Sequence, residues 1–530
     1  MRHMLVSSVT DAESCAQWTN QMQALAEEAP FGVPMNISSD PRHGVDATAE
    51  FNSGAGGDIS HWPGSIGMAA TFDTELMERY GEIVAKEYRA MGITTALSPQ
   101  IDLSTEPRWG RFSGSFGESS AMCRDMGQAY CDGLQESSGE QEVEDGWGRE
   151  SIVAMAKHWP GGGAVEAGRD AHFPCGKYSV YPGNNFEEHL IPFTEGALKL
   201  KGKTGKAGAI MPYYTIPTGQ DAENGENVGC SYNKYLITTL LREKYGYDEL
   251  VCTDWGITDD EGPVGMALGG KCWGVEHLTQ AERCYKILMA GVDQFGGLMK
   301  KEPVLEAYRM GVKEHGEEWM QERMRRSAVR ILRNIFRLGL FENPYAAPQE
   351  CKEIVGNAAY CEVGFQAQTQ SVVLLKNQNQ VLPLEKKAKV YIPKQYTPAR
   401  RNWMMQQEPE RWTDPAGEWI SGYFERVETP EEADAAICFM RMPKVGNGMM
   451  GMDNGYQNGE YVPISRQYRP YTAEFAREVS LAGGDPQETS ANRSYKGKTV
   501  TTFNECDLDM VLELREKMGT KPVIATPHEG

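Results

Sequence analysis

Short apolar runs alternate with amphipathic stretches between Phe31 and Gly297. The runs have the length of buried strands and include VPMNIS (33–38), TTALSP (94–99), SIVAMAKH (151–158), AGAIMP (207–212), ELVCTD (249–254) and AGVDQF (290–295). Between them, stretches such as 73–92 and 233–246 place apolar residues at helical spacing. Strands that alternate with helices form parallel sheets. Because so many repeated units favour a closed barrel over an open sheet, we predict an α/β fold with a (β/α)8 TIM-type barrel.

A long helix and a Pro-containing segment separate this region from a second α/β region. Residues 317–341 predict the helix, which Gly339 and the following ENPYAAPQE break. Later strands are predicted at SVVLLKN (371–377), KVYIP (389–393), ADAAICFM (433–440) and KPVIAT (521–526). Residues 441–505 are polar and rich in Gly, Tyr and Arg, which indicates loops. We therefore predict a barrel over 1–340, a linker over 341–370 and an incomplete α/β-sandwich domain over 371–530.

Length and charge limit the classes of partner. A chain of 530 residues is too long for one ordinary domain. Its formal net charge of −21 argues against nucleic acid and anionic membranes, which would require clustered Lys and Arg. We expect a neutral or cationic small molecule as the partner, and the sequence leaves the oligomeric state open.

The cysteines bear on metals and on the compartment. The 12 cysteines form no CxxC pair and no His/Cys cluster at metal-ligand spacing, so we expect neither a metal nor a cofactor. Scattered thiols suit a reducing compartment, and we expect a cytoplasmic protein. However, the chain starts directly with a strand-like run and stops just after another at Val523–Ala525, which indicates that both ends are cut. Secretion therefore stays open.

Polar and aromatic side chains follow five successive predicted strands, where parallel α/β barrels place their chemistry. They are Asp40, Arg42 and His43; Arg108, Trp109 and Arg111; Lys157 and His158; Tyr213 and Tyr214; and Asp254 and Trp255. Each alone has an ordinary explanation as a turn, cap or core residue. Together they offer the carboxylates, cations and aromatic rings that hydroxyl-rich ligands need. Glycosidic cleavage also needs a carboxylate that attacks or stabilises the anomeric carbon, and Asp254 is the natural candidate.

The motifs that carry these residues, taken in order, resemble glycoside hydrolase family 3, which includes many β-glucosidases and β-xylosidases. The matching segments are SSDPRHG (38–44), LSPQIDLSTEPRWGRFSGSFGES (97–119), KHWPGGG (157–163), IMPYYTIPTG (210–219), LLREKYGYDELVCTDWG (240–256), AVRILRNIFRLGLFENPY (328–345) and QSVVLLKNQNQVLPL (370–384). The resemblance implies that Asp254 is the nucleophile of a retaining reaction and that Trp255 forms an aromatic wall. It also implies sugar-binding roles for Asp40, Arg111, Lys157, His158 and Tyr214, with Arg108 the weaker arginine of its motif.

The proton donor departs from the resemblance. Many family members carry a Glu soon after the strand that resembles ADAAICFM, but here no Glu occurs before Glu460, and Asp453 is the only earlier acid. Glu460 is our candidate acid/base. The family's N-acetylglucosaminidases instead use a His-containing pair after their KH motif, and Asp170 and His172 occupy that loop in a different context.

We therefore expect an exo-acting retaining β-glycosidase that releases terminal β-glucosyl or β-xylosyl units from oligosaccharides or aryl glycosides. The missing Glu and the truncated second domain leave open a sugar-binding protein without catalysis. A glycoside phosphorylase, in which phosphate replaces water, is the third hypothesis.

Overall fold

The computed structural model describes residues 3–44, 58–262, 269–401, 407–443, 455–457, 460–485 and 491–528. The chain forms two compact units. The first contains Met1–Glu166 and Asp170–Val372, and the second contains Ala167–Arg169 and Val373–Gly530. The predicted nucleophile, Asp254, and every predicted sugar-binding residue therefore belong to the first unit.

The first unit is built on a six-stranded parallel sheet whose strands follow one another in sequence order. They are β1 (His3–Val6), β2 (Asn36–Ser39), β3 (Thr95–Ala96), β4 (Val153–Trp159), β5 (Ala209–Pro212) and β6 (Leu250–Val251). All residues of β4 are buried, as expected for a parallel strand that is covered on both faces. Because the strands are parallel, their carboxyl ends lie at one edge of the sheet.

The sheet curls so that its two ends approach each other. Beyond β6, Cys252 pairs with Gln294 in a parallel bridge, and Nε2 of Gln294 lies 2.8 Å from Nδ1 of His3 in β1. The predicted α/β fold with parallel strands is confirmed as a curled sheet. Of the eight strands expected for a TIM barrel, the described residues form six. The predicted strand at 290–295 contributes the Gln294 bridge instead of a ladder.

Helices connect the strands and cover the sheet. They are α1 (Ala12–Glu27), α2 (Ser65–Ala70), α3 (Thr74–Ala90), α4 (Ser120–Gln135), α5 (Phe186–Ile191), α6 (Gln280–Ala290), α7 (Glu302–His315), α8 (Glu317–Arg337), α9 (Cys351–Ile354) and α10 (Ala358–Gln370), with π-helical segments at Pro192–Ala197 and Tyr235–Lys244. The predicted long helix is thus α8, which ends at Arg337. Gly339 follows with a φ of 65°, a left-handed conformation that is common after a helix C-terminus. Its Ile335 packs with Met155 and Leu250 in the core.

Two short ladders lie outside the main sheet of the first unit. One pairs Glu142–Glu144 with Trp147–Gly148 and is antiparallel. The other pairs Tyr178–Ser179 with Ile216–Pro217 and is parallel. No helix in the described ranges is both long and apolar enough to cross a membrane.

The second unit contains a four-stranded parallel sheet and one long helix. In chain order the strands are β7 (Lys389–Tyr391), β8 (Glu425–Val427), β9 (Ala435–Arg441) and β10 (Val523–His528), and their spatial order is β8-β7-β9-β10. Helix α11 (Glu505–Met518) packs Leu514 and Met518 against Ala436 and Cys438 of β9. Short antiparallel ladders pair Gln395–Thr397 with Arg411–Thr413, Arg400–Arg401 with Gln407–Glu408, Tyr456–Gln457 with Glu460–Tyr461, and Tyr471–Thr472 with Thr499–Val500.

The prediction of a strand at SVVLLKN (371–377) is wrong. These residues form no ladder with the rest of the described chain, and Val372 and Leu375 are 78% and 83% exposed. An apolar run becomes a strand only when a neighbouring strand pairs with its backbone groups. The apolar pattern is present, but no strand among the described residues pairs with it.

All 12 cysteines are free thiols, and ten of them are buried. Burial raises the pKa of the Cys123, Cys230 and Cys284 thiols to about 12. These side chains therefore act as small core residues rather than as reactive groups.

Candidate active site

The site lies at the carboxyl edge of the first unit's sheet. Lys157 and His158 stand near the end of β4, where the strand emerges from the core. The other predicted residues follow their strands directly or lie in the next loop, and they are Asp40 after β2, Arg111 after β3, Tyr214 after β5, and Asp254 and Trp255 after β6. The curl of the sheet brings side chains from five strand ends to one place.

The Asp254 carboxylate is held by two donors. The Tyr214 hydroxyl donates to Oδ1 at 2.6 Å, and the backbone N–H of Trp255 donates to the same oxygen at 2.7 Å. Asp254 is only 7% exposed. Burial raises the pKa of Tyr214 well above its ordinary value, and the Asp254 carboxylate raises it further. The phenol therefore keeps its proton and serves as a donor.

His158 forms a buried chain with Asp102 and Arg111. Its Nδ1 lies 2.7 Å from Oδ2 of Asp102, and its Nε2 lies 3.3 Å from Nη1 of Arg111. Because a guanidinium group can only donate, Nε2 accepts this bond and the ring proton sits on Nδ1. Burial lowers the pKa of His158, which keeps the ring neutral. Nε2 also lies 3.8 Å from Oδ2 of Asp254.

Asp102 was missed by sequence reasoning. Burial alone would raise its pKa, but His158 and the backbone N–H groups of Gly162 and His158 outweigh burial and lower the pKa below 3.8. Asp102 is therefore an ionised carboxylate that orients the His158 ring. The signal that could have found it is an acidic residue between two apolar ones, Ile101 and Leu103, just after a predicted strand.

Lys157 and Asp40 form a second charged pair. Nζ of Lys157 donates to Oδ1 of Asp40 at 3.2 Å, and the two side chains are 3% and 22% exposed. The Tyr88 hydroxyl donates to the Asp40 backbone carbonyl at 2.7 Å, which fixes the backbone of this loop. The Asp40 carboxylate is thus anchored but still reaches solvent, as a ligand-binding group must.

Trp255 is half-buried next to two glycines. A Cβ atom at Gly296 or Gly297 would come within 2.8 Å of the indole. Close approach of the backbone to this ring therefore requires glycine at both positions.

Of the two arginines in the EPRWGR segment, Arg108 is engaged by a neighbouring acid. Its guanidinium donates to both carboxylate oxygens of Glu106 at 2.8 and 2.7 Å. The structure places Arg111, and not Arg108, against His158.

A second carboxylate–histidine pair lies in the same unit. Nδ1 of His172 is 2.6 Å from Oδ1 of Asp170, and Nε1 of Trp109 donates to Oδ2 of Asp170 at 2.7 Å. Burial would raise the pKa of Asp170, but His172 and Arg111 outweigh it and hold the pKa far below its ordinary value. The His172 ring meets the Tyr214 ring edge-on, with centroids 4.9 Å apart.

The two sequence candidates for the proton donor are not placed by the structure. Glu460 lies in the short strand Glu460–Tyr461 of the second unit, and its side chain is outside what the structure describes. Asp453 lies outside the described residues altogether. Within the described ranges, no three His, Cys, Asp or Glu side chains group so as to hold a metal ion.

Comparison with known proteins gives a family match. A family model described as "Glycosyl hydrolase family 3 N terminal domain" matches residues 3–334. "Beta-glucosidase C" of Emericella nidulans is 41% identical over 385 residues, which are 72% of this chain and 58% of that protein. "Periplasmic beta-glucosidase/beta-xylosidase" of Dickeya chrysanthemi is 39% identical over 391 residues, which are 71% of this chain and 56% of that protein.

Solved structures agree on the fold. The crystal structure of a β-glucosidase from Listeria innocua in complex with isofagomine aligns with a TM-score of 0.65 at 19% identity, and covers 99% of this chain and 62% of that one. The chain spans less than two thirds of the length of the curated relatives it matches. The name of the Dickeya protein places that relative in the periplasm, so it lends no support to the expectation of a cytoplasmic protein.

Proposed function

Because the chain belongs to glycoside hydrolase family 3, we propose that it is the catalytic portion of an exo-acting retaining β-glycosidase. Its substrates are oligosaccharides or aryl glycosides that end in a β-glucosyl or β-xylosyl unit. The names of the relatives support this substrate class, since they are β-glucosidases and a β-glucosidase/β-xylosidase.

The arrangement around Asp254 carries the proposal. Oδ1 accepts the two hydrogen bonds from Tyr214 and Trp255, so Oδ2 is the oxygen oriented for attack. In the first step Oδ2 forms a bond to the anomeric carbon while the bond from that carbon to the leaving oxygen breaks. In the second step water attacks the same carbon, the ester bond to Asp254 breaks, and the sugar leaves with its configuration retained.

The charged groups around Asp254 suit a ring with several hydroxyl groups. Asp40 offers carboxylate oxygens as acceptors, while Lys157 and Arg111 offer donors. Trp255 offers an apolar face to one side of the sugar ring. The neutral His158 contributes ring edges that are fixed by Asp102 and Arg111. An exo-acting enzyme needs such a closed set of partners around one terminal sugar.

Proton transfer to the leaving oxygen is assigned to the Asp170–His172 pair. The ionised Asp170 holds the Nδ1 side of His172, as a buried carboxylate orients the histidine of a catalytic triad. His172 then gives a proton to the leaving oxygen in the first step and takes one from water in the second. Glu460 is the competing candidate, and experiment separates the two.

We also propose the finer architecture for the chain. Residues 1–340 would form a (β/α)8-type barrel, residues 341–370 a linker, and residues 371–530 part of an α/β-sandwich domain. The sequential parallel strands and the approach of Gln294 to His3 support the barrel.

Labelling with 2-deoxy-2-fluoro-β-glucosyl fluoride tests the nucleophile. Intact-mass measurement and peptide mapping should locate a glycosyl adduct on Asp254, and Asp254→Asn should abolish both labelling and turnover. Asp259→Asn is the matched control, since it removes an exposed carboxylate from the same loop and should leave both unchanged. An adduct on another residue, or normal turnover by Asp254→Asn, would refute the proposal. A folded protein that binds glucose but shows neither labelling nor turnover would favour the hypothesis of a sugar-binding protein without catalysis.

Leaving-group dependence tests the proton donor. His172→Gln should slow hydrolysis of aryl glycosides with poor leaving groups much more than of dinitrophenyl glycosides, which need no protonation. Azide should restore turnover and give a β-glycosyl azide. The same behaviour in Glu460→Gln, with an unaffected His172→Gln, would assign the role to Glu460.

A further inference from the structure

The residue before the proposed nucleophile is hydrogen-bonded to a glycine turn on a neighbouring segment. The backbone N–H of Thr253 donates to the carbonyl of Gln294 at 2.9 Å. In return, the Thr253 hydroxyl accepts the backbone N–H of Gly296 at 2.8 Å. The Thr253 side chain is fully buried, and Gly296 is buried as well. These two hydrogen bonds therefore hold the turn against the residue that precedes Asp254.

The glycine turn lies directly against the Trp255 indole. A Cβ atom at Gly296 would lie 2.8 Å from Cε3 of the six-membered ring, and one at Gly297 would lie 2.8 Å from Cδ1 of the five-membered ring. Both rings of the indole are thus in close contact with the backbone of this turn. Because close-packed groups have little room to move independently, a shift of the turn also shifts the indole.

The same segment reaches the indole through a second contact. Nε2 of the Gln294 amide lies 2.8 Å from Nδ1 of His3. The His3 ring in turn meets the Trp255 ring edge-on, with centroids 6.4 Å apart, within the range of favourable aromatic pairs. Residues 294–297 therefore hold the indole both by the glycine turn and by the Gln294–His3 pair, and Thr253 is bonded to this segment at two points.

We propose that Thr253 is a positioning residue that fixes the Trp255 wall by locking the Gly296–Gly297 turn against it. The inference rests on the proposed function, in which Trp255 offers an apolar face to the terminal sugar. It deepens that function, because it names the group that sets where the face lies. Thr253 acts through the turn and the indole rather than on the sugar.

Two substitutions of Thr253 separate the hydrogen bond from the packing. Thr253→Val replaces the hydroxyl by a methyl group, so the buried N–H of Gly296 loses its acceptor. Thr253→Ser keeps the acceptor and removes the methyl group, which lowers stability through packing alone.

The two variants are predicted to differ in KM for an aryl β-glucoside. Thr253→Val should raise KM on the order of tenfold, since misplacing a group by 1 Å can cost about 100-fold. The change in kcat should be smaller, because an apolar wall contacts the sugar in the ground state and in the transition state alike. Thr253→Ser should keep the wild-type KM despite its lower stability.

A double-mutant cycle shows whether the effect passes through Trp255. In a Trp255→Ala background the wall is absent, so Thr253→Val should change KM by less than about twofold. Thr253 also adjoins the nucleophile, and an effect through Asp254 would persist in that background and slow labelling at saturating 2-fluoro glycoside. That result would rule out a role that acts through the indole.

Thr94→Val is the matched control. Thr94 is 2% exposed, and its hydroxyl accepts the backbone N–H of Ile37 at 3.0 Å, so the same type of hydrogen bond is lost. Thr94 directly precedes β3 and thus lies at the edge of the sheet opposite the site. Its substitution should lower the free energy of unfolding in urea and leave KM unchanged. If Thr253→Val behaves in the same way, its role is structural only and the inference is wrong.

The affinity for glucose, measured by calorimetry, keeps this inference separate from the proposed function. If the wild-type protein is active and labels at Asp254, but Thr253→Ser raises KM as much as Thr253→Val does, the role of Thr253 is refuted and the proposed function stands. If the wild-type protein binds glucose without labelling or turnover, the proposed function fails. A Kd raised in Thr253→Val and not in Thr253→Ser would then still support the positioning of the indole. A wild-type protein that neither binds glucose nor hydrolyses the glycoside refutes both.

Discussion

Replacement of Tyr214 by Phe tests the link between the Tyr214 hydroxyl and the Asp254 carboxylate. The change removes one oxygen atom from a ring that is almost fully buried. The lost hydrogen bond is short, at 2.6 Å, and its acceptor is a carboxylate. After the change, Oδ1 of Asp254 keeps the N–H of Trp255 as its donor, so the carboxylate is held at one point instead of two.

The size of the effect follows from the charge on the acceptor. A hydrogen bond to a charged group contributes about 1.5–3 kcal/mol, which corresponds to a loss of roughly 10- to 150-fold in rate if it acts in the transition state. We expect kcat/KM to fall within that range. Labelling by the 2-fluoro glycoside should slow by the same factor, because this carboxylate is the proposed attacking group in that step.

Tyr213→Phe is the matched control. Tyr213 is the preceding residue and equally buried, but its hydroxyl lies 3.5 Å from Oδ2 of Asp170, a distance at which a hydrogen bond is weak. We expect kcat/KM to change by less than about threefold. If Tyr214→Phe keeps the wild-type labelling rate, or if both variants lose activity equally, the hydrogen bond to Asp254 does not orient the nucleophile.

Three further predictions concern buried groups. Trp109→Phe removes the indole donor to Asp170 and should lower the free energy of unfolding in urea by about 1–3 kcal/mol; an unchanged value would mean that water replaces the donor. The pKa values of Asp102 and Asp170 lie below 3.8 in the folded protein. Their contribution to stability is therefore complete above that pH and is lost as the pH falls below it. Melting temperatures measured between pH 5 and 3 should drop less steeply in Asp102→Asn than in the wild type. Asp293→Ala removes a buried carboxylate that accepts from Arg242 at 2.6 Å and Arg330 at 3.0 Å, and should cost about 3–5 kcal/mol; a loss under about 1 kcal/mol would show that the arginines reach solvent.

The alternation of apolar runs and amphipathic stretches was enough to predict the strand ends. Each run that became a strand, such as Val153–Trp159, is defined by local composition, and the carboxyl ends of parallel strands must share an edge. From the pattern alone, Lys157, Tyr214 and Asp254 are predicted to lie at the same edge of the sheet, although no distance between them is known from the sequence. The pairing of one strand with another, however, depends on residues that are far apart in the sequence. The exposed run at 371–377 shows that an apolar run alone does not make a strand.

Residues that act through other residues were harder to find. Asp102 bonds to His158 across 56 positions, and Trp109 bonds to Asp170 across 61. Such pairs form where loops fold back onto the sheet, and the spacing of residues in the sequence does not predict where that happens.

The two carboxylate–histidine pairs of the first unit differ in their hydrogen-bond partners. His158 accepts a hydrogen bond from Arg111 at Nε2 and donates its Nδ1–H to the Asp102 carboxylate. Both nitrogens are therefore committed, and its lowered pKa opposes a second proton. His172 is held through Nδ1 by an ionised Asp170. The bond from Arg111 occupies the nitrogen of His158 that lies 3.8 Å from Asp254, which suits the role we propose for His158 as a neutral contact for the sugar and leaves proton transfer to the proposed donor, His172.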